Sequence, residues 1–434
     1  MSKWLCATIK EIAKVRGGKR LPVGCEFADS FTPFPYLRVT NMVNSTIKNE
    51  IVYVKPEIEP IIRNYKVSKD DIYVTIAGTL GNFGTIPNRY DNAQLTENAA
   101  KITDINNAEY DKKYLVYSFN SDYVQKQIKK EIGIGGGVPK LALHRIERLK
   151  VKYPPLPHQR KIARILTTVD IIIEKTETAL KKYKAIKQGM MHDLFTRGID
   201  VKTGKLRPSY EDAPELHKES ELGVIPKEWE TDNLESLTTK LTDGSHFSPV
   251  PQEDGYMIGN VKDMTLYGFN YETCTRITKQ DFLNLKNQNC QPLKNDVLLS
   301  KDGTIGRVFL FNGERELVVL SSIAIIRMIT EIVPGYLSYV LKSEYFDKQL
   351  FALQSGSALK RIVLSDIKQL KIPYPEDKDE QDMIVNILKS IDGRLFSELS
   401  ALAKYQKIKQ SLMQDLLAGK KEVTPDPEDF DDEP

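Results

Sequence analysis

Side chains capable of bond chemistry are present in this chain but are not set out for it. The five histidines, His144, His158, His192, His217 and His246, stand singly, and a lone histidine is ordinarily a surface or structural residue. The four cysteines, Cys6, Cys25, Cys274 and Cys290, fall at no metal-ligand spacing. A phosphate-cradling P-loop needs Gly-x-x-x-x-Gly-Lys-Ser/Thr. The nearest string, Gly198 to Leu206, has the wrong spacing and puts Leu206 where the hydroxyl belongs. No Gly-x-Gly-x-x-Gly opens a helix after a strand. Lys301 and Asp302 set a base and a carboxylate beside a Gly-Thr-x-Gly turn, yet an earlier matching turn has Ile76 and Ala77 there, so no shared active site is signalled. Two glycine- or serine-rich basic loops remain, Gly133–Lys140 (GIGGGVPK), followed by His144 and Arg145, and Ser355–Arg361 (SGSALKR). Their amides and cations suit a nucleic-acid backbone better than a small ligand; a plain flexible loop is the alternative.

What must position these residues is a chain of 434 residues, too long for one ordinary core, so two or three domains are expected. Its 41% hydrophobic and 28% charged content is that of a soluble globular protein. The net charge of +3 argues neither for nor against nucleic acid, and the distribution says more. From His144 to Lys205 basic residues outnumber acidic ones by more than two to one, whereas Glu422 to Pro434 carries seven acids and no base. That acidic end, 420–434, is expected to be disordered. No N-terminal apolar segment reads as a signal peptide, and the most apolar run, Leu317–Ile326, is too short for a bilayer and reads as buried strand. A soluble cytoplasmic protein without a membrane partner is expected.

Two long amphipathic helices set the frame. After Pro157 no proline occurs before Phe195, and Ile162, Leu166, Val169, Leu180, Tyr183 and Ile186 recur mostly at spacings of three and four, a stripe narrow enough for a coiled-coil seam. At about 1.5 Å per residue such a rod is on the order of 60 Å long. The pattern returns 222 residues later (159 to 381) with Ile384, Leu388, Ile391, Leu402, Tyr405 and Ile408 in the stripe, and with Gln159/Gln381, Asp170/Asp392 and Lys187/Lys409 identical. Neither stripe is stable facing water, so pairing the rods is the natural solution.

Ahead of each rod lies a block of short β-branched runs between turn residues. Trp4 and Trp229 are offset by 225 (4 to 229), DIYVTIAGTLG (Asp71–Gly81) overlies DVLLSKDGTIG (Asp296–Gly306), and the helical stretch Tyr114–Ile128 overlies Tyr336–Leu350. The chain is two copies of one unit, a globule followed by a rod. Between the anchors, as at Tyr36–Glu50 and Tyr256–Asn270, the copies share little beyond pattern, which suits two different recognition tasks.

With PPLPHQRKIARIL (Pro154–Leu166), IKQGMMHDLFTRG (Ile186–Gly198), ELGVIPKEWE (Glu221–Glu230) and IKQSLMQDLLAG (Ile408–Gly419), this duplicated frame resembles the specificity subunit of type I restriction-modification enzymes over nearly the whole chain. The resemblance implies an α+β fold, two pseudo-repeated mixed α/β target-recognition domains (1–150 and 221–371) joined by two long antiparallel helices forming a coiled coil (151–198 and 372–419), with a linker at 199–220. It implies a non-catalytic subunit whose two domains each read one half of a bipartite, asymmetric double-stranded DNA target. The rods would fix the spacer and dock two methyltransferase subunits, through which restriction subunits join. No cofactor or metal is expected on this chain; S-adenosylmethionine, ATP and Mg are expected on the partners. One departure is Glu376–Gln381 (EDKDEQ), mainly acidic where the first copy is proline-rich and basic. A coiled-coil scaffold without sequence specificity is the alternative, and the missing donor-binding and nuclease motifs argue against a single-chain modification enzyme.

Arg and Lys pair with guanine edges, Asn and Gln with adenine. In the divergent segments of the first globule the candidates are Arg38, Thr40, Asn41, Arg63, Arg89 and Lys101, with Lys140 and Arg145 at its basic loop. In the second they are His246, Asn260, Lys262, Lys301 and Arg307, with Lys360 and Arg361. Ordinary solvated surface is the alternative for each of them singly.

Overall fold

The computed structural model describes residues 4–48, 50–131, 140–265, 268–354 and 361–430. The chain divides into two compact units whose boundaries are not those of the sequence repeat: Met1–Thr178 with Ser400–Pro434, and Ala179–Leu399. Each contains one globule, the first half of the rod that follows it, and the second half of the other rod. The rods are the continuous helices Leu156–Arg197 and Lys378–Leu416.

In the first unit, Leu5–Thr8 pairs antiparallel with Lys150–Tyr153, the strand that leads into the rod. Thr8 then caps a short helix, Ile9–Ile12, in a capping box with Glu11. One four-stranded antiparallel sheet runs Lys14–Gly17, Ala99–Thr103, Ile72–Thr75, Phe83–Thr85. A second runs Val52–Tyr53, Pro35–Leu37, Ala93–Leu95, Lys66–Val67 and contains one parallel pair, Tyr36 with Gln94 and Leu37 with Leu95. The stretch 114–130 is two helices, Lys112–Phe119 and Asp122–Glu131. The break falls at Asn120, whose side-chain amide donates to the carbonyls of Phe83 and Val116 and so ties the helix end to a strand. The core joins Ile72, Val74, Tyr114 and Phe119 to Ile162 and Leu166 of one rod and Leu416 of the other.

The second unit repeats the plan. Trp229–Asn233 pairs with Lys371–Pro375, a four-stranded sheet runs Thr238–Asp243, Ile323–Met328, Val297–Ser300, Val308–Leu310, and a three-stranded sheet again holds one parallel pair, Tyr256–Gly259 with Leu317–Val319. The run Leu317–Ile326 is buried as expected but as two strands in two sheets, because Leu320–Ser322 turns between them. The stretch 199–220 is not a bare linker: Ile199–Asp200 pairs with Lys205–Leu206 and His217–Ser220 with Gly223–Pro226, the turns made by Gly204 and Gly223 at positive φ. The core includes Trp229, Tyr336, Ile384, Leu388 and Leu194.

Within each unit the two half-rods run antiparallel and are locked to the globule by the same three side chains. In the first, the Tyr117 hydroxyl donates to Asp170 at 2.7 Å and the Lys409 ammonium lies 2.6 Å from the other carboxylate oxygen and over the tyrosine ring. In the second, Tyr339 donates to Asp392 at 2.9 Å and Lys187 meets it at 2.5 Å. Burial, and the hydrogen bond to Asp170, push the Tyr117 hydroxyl well above its usual range. At this level the rods turn Lys187 and Lys409 inward, so the adjoining Ile186 and Ile408, expected in the seam, lie on the outer face. Ile162, Leu166, Leu180, Ile384, Leu388 and Ile391 are buried; Val169, Tyr183, Leu402 and Tyr405 are half-buried. Gln159 and Gln381, both fully buried, make one more matched tie. Each donates to two carbonyls at the rod entrance and accepts an amide, from Asp111 or Val333.

The rod entrances themselves are closed with opposite charge. In the second unit buried Glu380 accepts from Trp229 Nε1 at 3.0 Å, from the Ile199 amide at 2.8 Å and from both terminal nitrogens of Arg207. In the first, the acidic stretch expected to be disordered is placed against the basic rod face as far as Phe430. Lys161 lies 2.5 Å from Asp426, Arg164 lies 3.0 Å from buried Asp429 and also pairs with Asp426 and Glu428, and Arg160 donates to the Asp429 carbonyl. The swap from a basic to an acidic entrance in EDKDEQ follows from what docks on each. Gly198 and Gly419, both at positive φ, follow the rods where a side chain would strike the Arg207–Glu380 pair or Trp4.

Glu380→Ala leaves the Trp229 indole N–H and the Ile199 amide without their acceptor and the half-buried Arg207 with Glu228 as its one remaining carboxylate partner, and a loss of about 3–5 kcal/mol in denaturant unfolding is expected, recovered in part by adding Arg207→Met; a loss under about 1 kcal/mol would refute the hub. The hydrogen bond and charge of Lys161 hold the Asp426 carboxyl below its ordinary value of 3.8. A depressed folded-state pKa contributes stability above the ordinary value and loses it as pH falls through the depressed one. Acidification should therefore detach 420–430 as the Asp426 carboxyl takes up its proton, read as movement of the Trp4 indole resonance beside Gly419; an indole resonance that stays in place once that carboxyl is protonated would contradict it.

Candidate nucleic-acid interface

The first globule's candidate polar residues separate into frame and surface. Asn41, 1% exposed, accepts from the Arg38 amide at 2.9 Å and donates to the Glu50 carbonyl at 2.8 Å, so it braces the turn Val39–Asn41 and is not free to read a base. Lys101 donates to the Lys66 carbonyl at 2.6 Å and faces buried Asp71 at 3.4 Å, again a frame role. Arg145 is half-buried, bonded to the Glu131 carbonyl. Thr40, Arg63, Arg89 and Lys140 are exposed, with Arg89 stacked over Tyr90. Arg38 is half-buried with its guanidinium 6.0 Å from the Phe27 ring.

The second globule sorts the same way. Asn260 caps the turn Val261–Asp263, accepting from the Val261 amide at 2.6 Å. Lys301 is ion-paired to Asp243 at 3.1 Å with 12% of its side chain exposed. Arg307 donates to the carbonyls of Met264 at 2.8 Å and Val261 at 3.3 Å. These three serve the fold, while His246, Lys262 and Arg361 are exposed. Lys360, with most of both basic loops, lies outside the described residues.

Two turns that the sequence sets apart turn out to be counterparts. The Asn260 amide is accepted by Asp263 as that of Arg38 is by Asn41, and the Met264 carbonyl is held by Arg307 as that of Met42 is by Asn82. In both globules the end of the basic loop is bridged to the Gly-Thr-x-Gly turn, Lys140 with Ala77 and Arg361 with Asp302. Gly78, Gly81, Gly303 and Gly306 have positive φ, the conformation the turn requires. The structure thus brings together two of the features singled out from the sequence and exposes a cation at the same point of each frame.

One residue is absent from that reading. Gln94, 1% exposed in the middle of a sheet, has neither amide atom hydrogen-bonded among the described residues. Comparison of the copies strand by strand is the signal that finds it, since the second copy places Val318 there.

No grouping of histidine, cysteine, aspartate and glutamate that could hold a metal occurs among the described residues, and no described helix is long and apolar enough to cross a membrane. Burial pushes the Lys342 ammonium down to about 8, helped by nearby Lys187; Asn120 occupies that place in the first unit.

Arg307→Ala removes the side-chain donor held by the Met264 carbonyl and leaves the Val261 carbonyl with the Met264 amide alone, and should cost about 1–3 kcal/mol, whereas exposed Lys262→Ala should stay within about 0.5 kcal/mol. Equal melting temperatures for the two variants would contradict the division into frame and surface.

Comparison with known proteins agrees with the duplicated frame. Residues 1–182 and 226–410 each match the family described as type I restriction modification DNA specificity domain. The MjaVIII specificity subunit of Methanocaldococcus jannaschii, a type I restriction enzyme subunit, is 28% identical over 321 residues, covering 71% of this chain and 69% of its own. The EcoBI specificity subunit of Escherichia coli is 21% identical over 423 residues, covering 94% and 84%. The crystal structure of the S subunit of a type I restriction-modification system from M. genitalium shares the fold, with a TM-score of 0.63 at 16% identity over 98% of this chain and 97% of that one. With both of its globules matched and most of both rods, the chain belongs to the type I restriction-modification DNA specificity family.

Proposed function

We propose that this chain is the non-catalytic reader of a type I restriction-modification complex, each globule taking one half of a split, asymmetric double-stranded DNA target. The observation that carries the reading is the repeated pairing of a Gly-Thr-x-Gly turn with the end of a basic loop, which exposes Lys140 in one frame and Arg361 in the other amid otherwise different side chains. Backbone amides and cations position a protein on phosphates, and differing neighbours supply different base preferences.

The continuous rods set the gap between the two half-sites and carry two methyltransferase subunits. Exposed apolar side chains on them favour this: Ile171, Ile172 and Ile408 in the first unit, Ile186 and Phe396 in the second. Restriction subunits join through those partners, which hold the S-adenosylmethionine, ATP and Mg; the present chain orients DNA and moves no bond.

Co-expression with its methyltransferase subunit, followed by genome-wide mapping of methylated adenine, should show one split motif with a fixed gap that vanishes without this chain. Inserting one helical turn, about four residues, in both rods should lengthen the gap by about one or two base pairs, at about 6 Å per turn. Methylation that persists without the chain, or a gap that ignores the insertion, would favour a scaffold with no part in recognition.

A further inference from the structure

Gln94 sits at a position where the frame itself asks for nothing polar. It lies on the strand Ala93–Leu95, in parallel register with Tyr36, and neighbours in register point to the same side of a sheet. Its flanking residues Ala93 and Leu95 enter the core on the other face. In the second globule the corresponding parallel pair is Ile258 and Val318, both buried in an apolar cluster. A buried amide with no partner is a net cost to folding, and a frame that accepts valine elsewhere gives no structural reason to bear it.

On that face the register neighbour of Gln94, Tyr36, is packed against Ile58 and Ile62 and against a loop that brings in Leu21, Cys25 and Phe27. On the Tyr36 side, Phe27 packs 5.2 Å from the Tyr36 ring and beneath the Arg38 guanidinium, whose Nε is also buried without a partner. The loop is tied down at its ends, by the Lys19 amide to the Leu95 carbonyl and the Ala28 amide to the Tyr53 carbonyl, each 2.8 Å. From Arg20 to Phe27 the one backbone hydrogen bond among the described residues is internal, Cys25 to Pro22, and Val23 stands wholly in solvent. Displacing Phe27 would open the Tyr36 side of this face, from which Arg38 and, one strand across from Tyr36, Gln94 offer the two side-chain types that pair in bidentate fashion with guanine and adenine in the major groove.

We propose that Gln94 is a specificity-determining residue of the first globule, its amide pairing with an adenine of that globule's half-site once the loop 20–27 is pushed aside. The proposal rests on the DNA-reading function above and adds to it one base and the residue that reads it. The unpaired amide in the free chain is then a hydrogen-bonding capacity kept for DNA, and Arg38, two residues beyond its register neighbour Tyr36, takes a neighbouring base.

The test uses the complex assembled with its methyltransferase subunit, with binding read by fluorescence anisotropy on the mapped target duplex and on duplexes carrying each single-base change. Gln94→Leu should lose roughly tenfold to a hundredfold of discrimination at one A·T pair of one half-site and none elsewhere. If that variant does not assemble, Gln94→Met, close in volume and lacking both amide atoms, replaces it. Discrimination kept at every position by an assembled variant, whatever its melting temperature, would overturn the role of Gln94 and leave the reading function standing. A wild-type complex with no base preference at all would instead overturn the function on which the proposal rests.

Discussion

Each unit depends on one three-way contact, a tyrosine of the globule, an aspartate of one rod and a lysine of the other. Tyr117, Asp170 and Lys409 make it in the first unit, Tyr339, Asp392 and Lys187 in the second. A carboxylate half-withdrawn from water must be matched in charge and hydrogen bonding. Here the match can be completed only when both rods and the globule are in place. Apolar stripes alone would let two helices slide by a turn; the ion pair and hydrogen bond fix their register, and Gln159 and Gln381 fix the point where each rod leaves its globule.

Around that constant frame the polar residues divide by purpose. Those that bind backbone groups, such as Asn41, Asn260, Lys101 and Arg307, hold turns and strands. Those left exposed at the same frame points differ between the copies, as Lys140 and Arg361 adjoin Ala77 and Asp302. A rigid scaffold with variable projections lets one architecture address two half-sites.

The rods and the duplication were legible because the rods keep identities at one shift, including the aspartates and lysines of the lock, and the globules at shifts close to it, although their tyrosine partner could not be inferred from helix periodicity. Six of the twelve expected seam residues are buried, and Ile186 and Ile408 face outward because charged neighbours take the inner side. The turns at Asn41 and Asp263 were hidden because an amide and a carboxylate perform the same acceptor role, so counterparts looked unrelated. Residue type alone could not tell a base reader from a brace, since Asn, Lys and Arg bind backbone carbonyls as readily as base edges. Composition made residues 420–430 look solvated because it weighs local charge and not the basic surface, Lys161 and Arg164, that lies far away in sequence.

The opposite charges at the two rod entrances also bear on which halves can be combined. Glu380 is matched to Arg207 and the Lys161–Arg164 face to Asp426 and Asp429, so each entrance accepts the segment that follows the other rod. A chain assembled from two copies of the first half would present Arg207 to Arg164, and one from two copies of the second would present Asp426 to Glu380. Like charges brought together in partly desolvated surroundings repel, so the fold carries its own polarity: it favours unlike halves, and with them an asymmetric reader over a palindromic one.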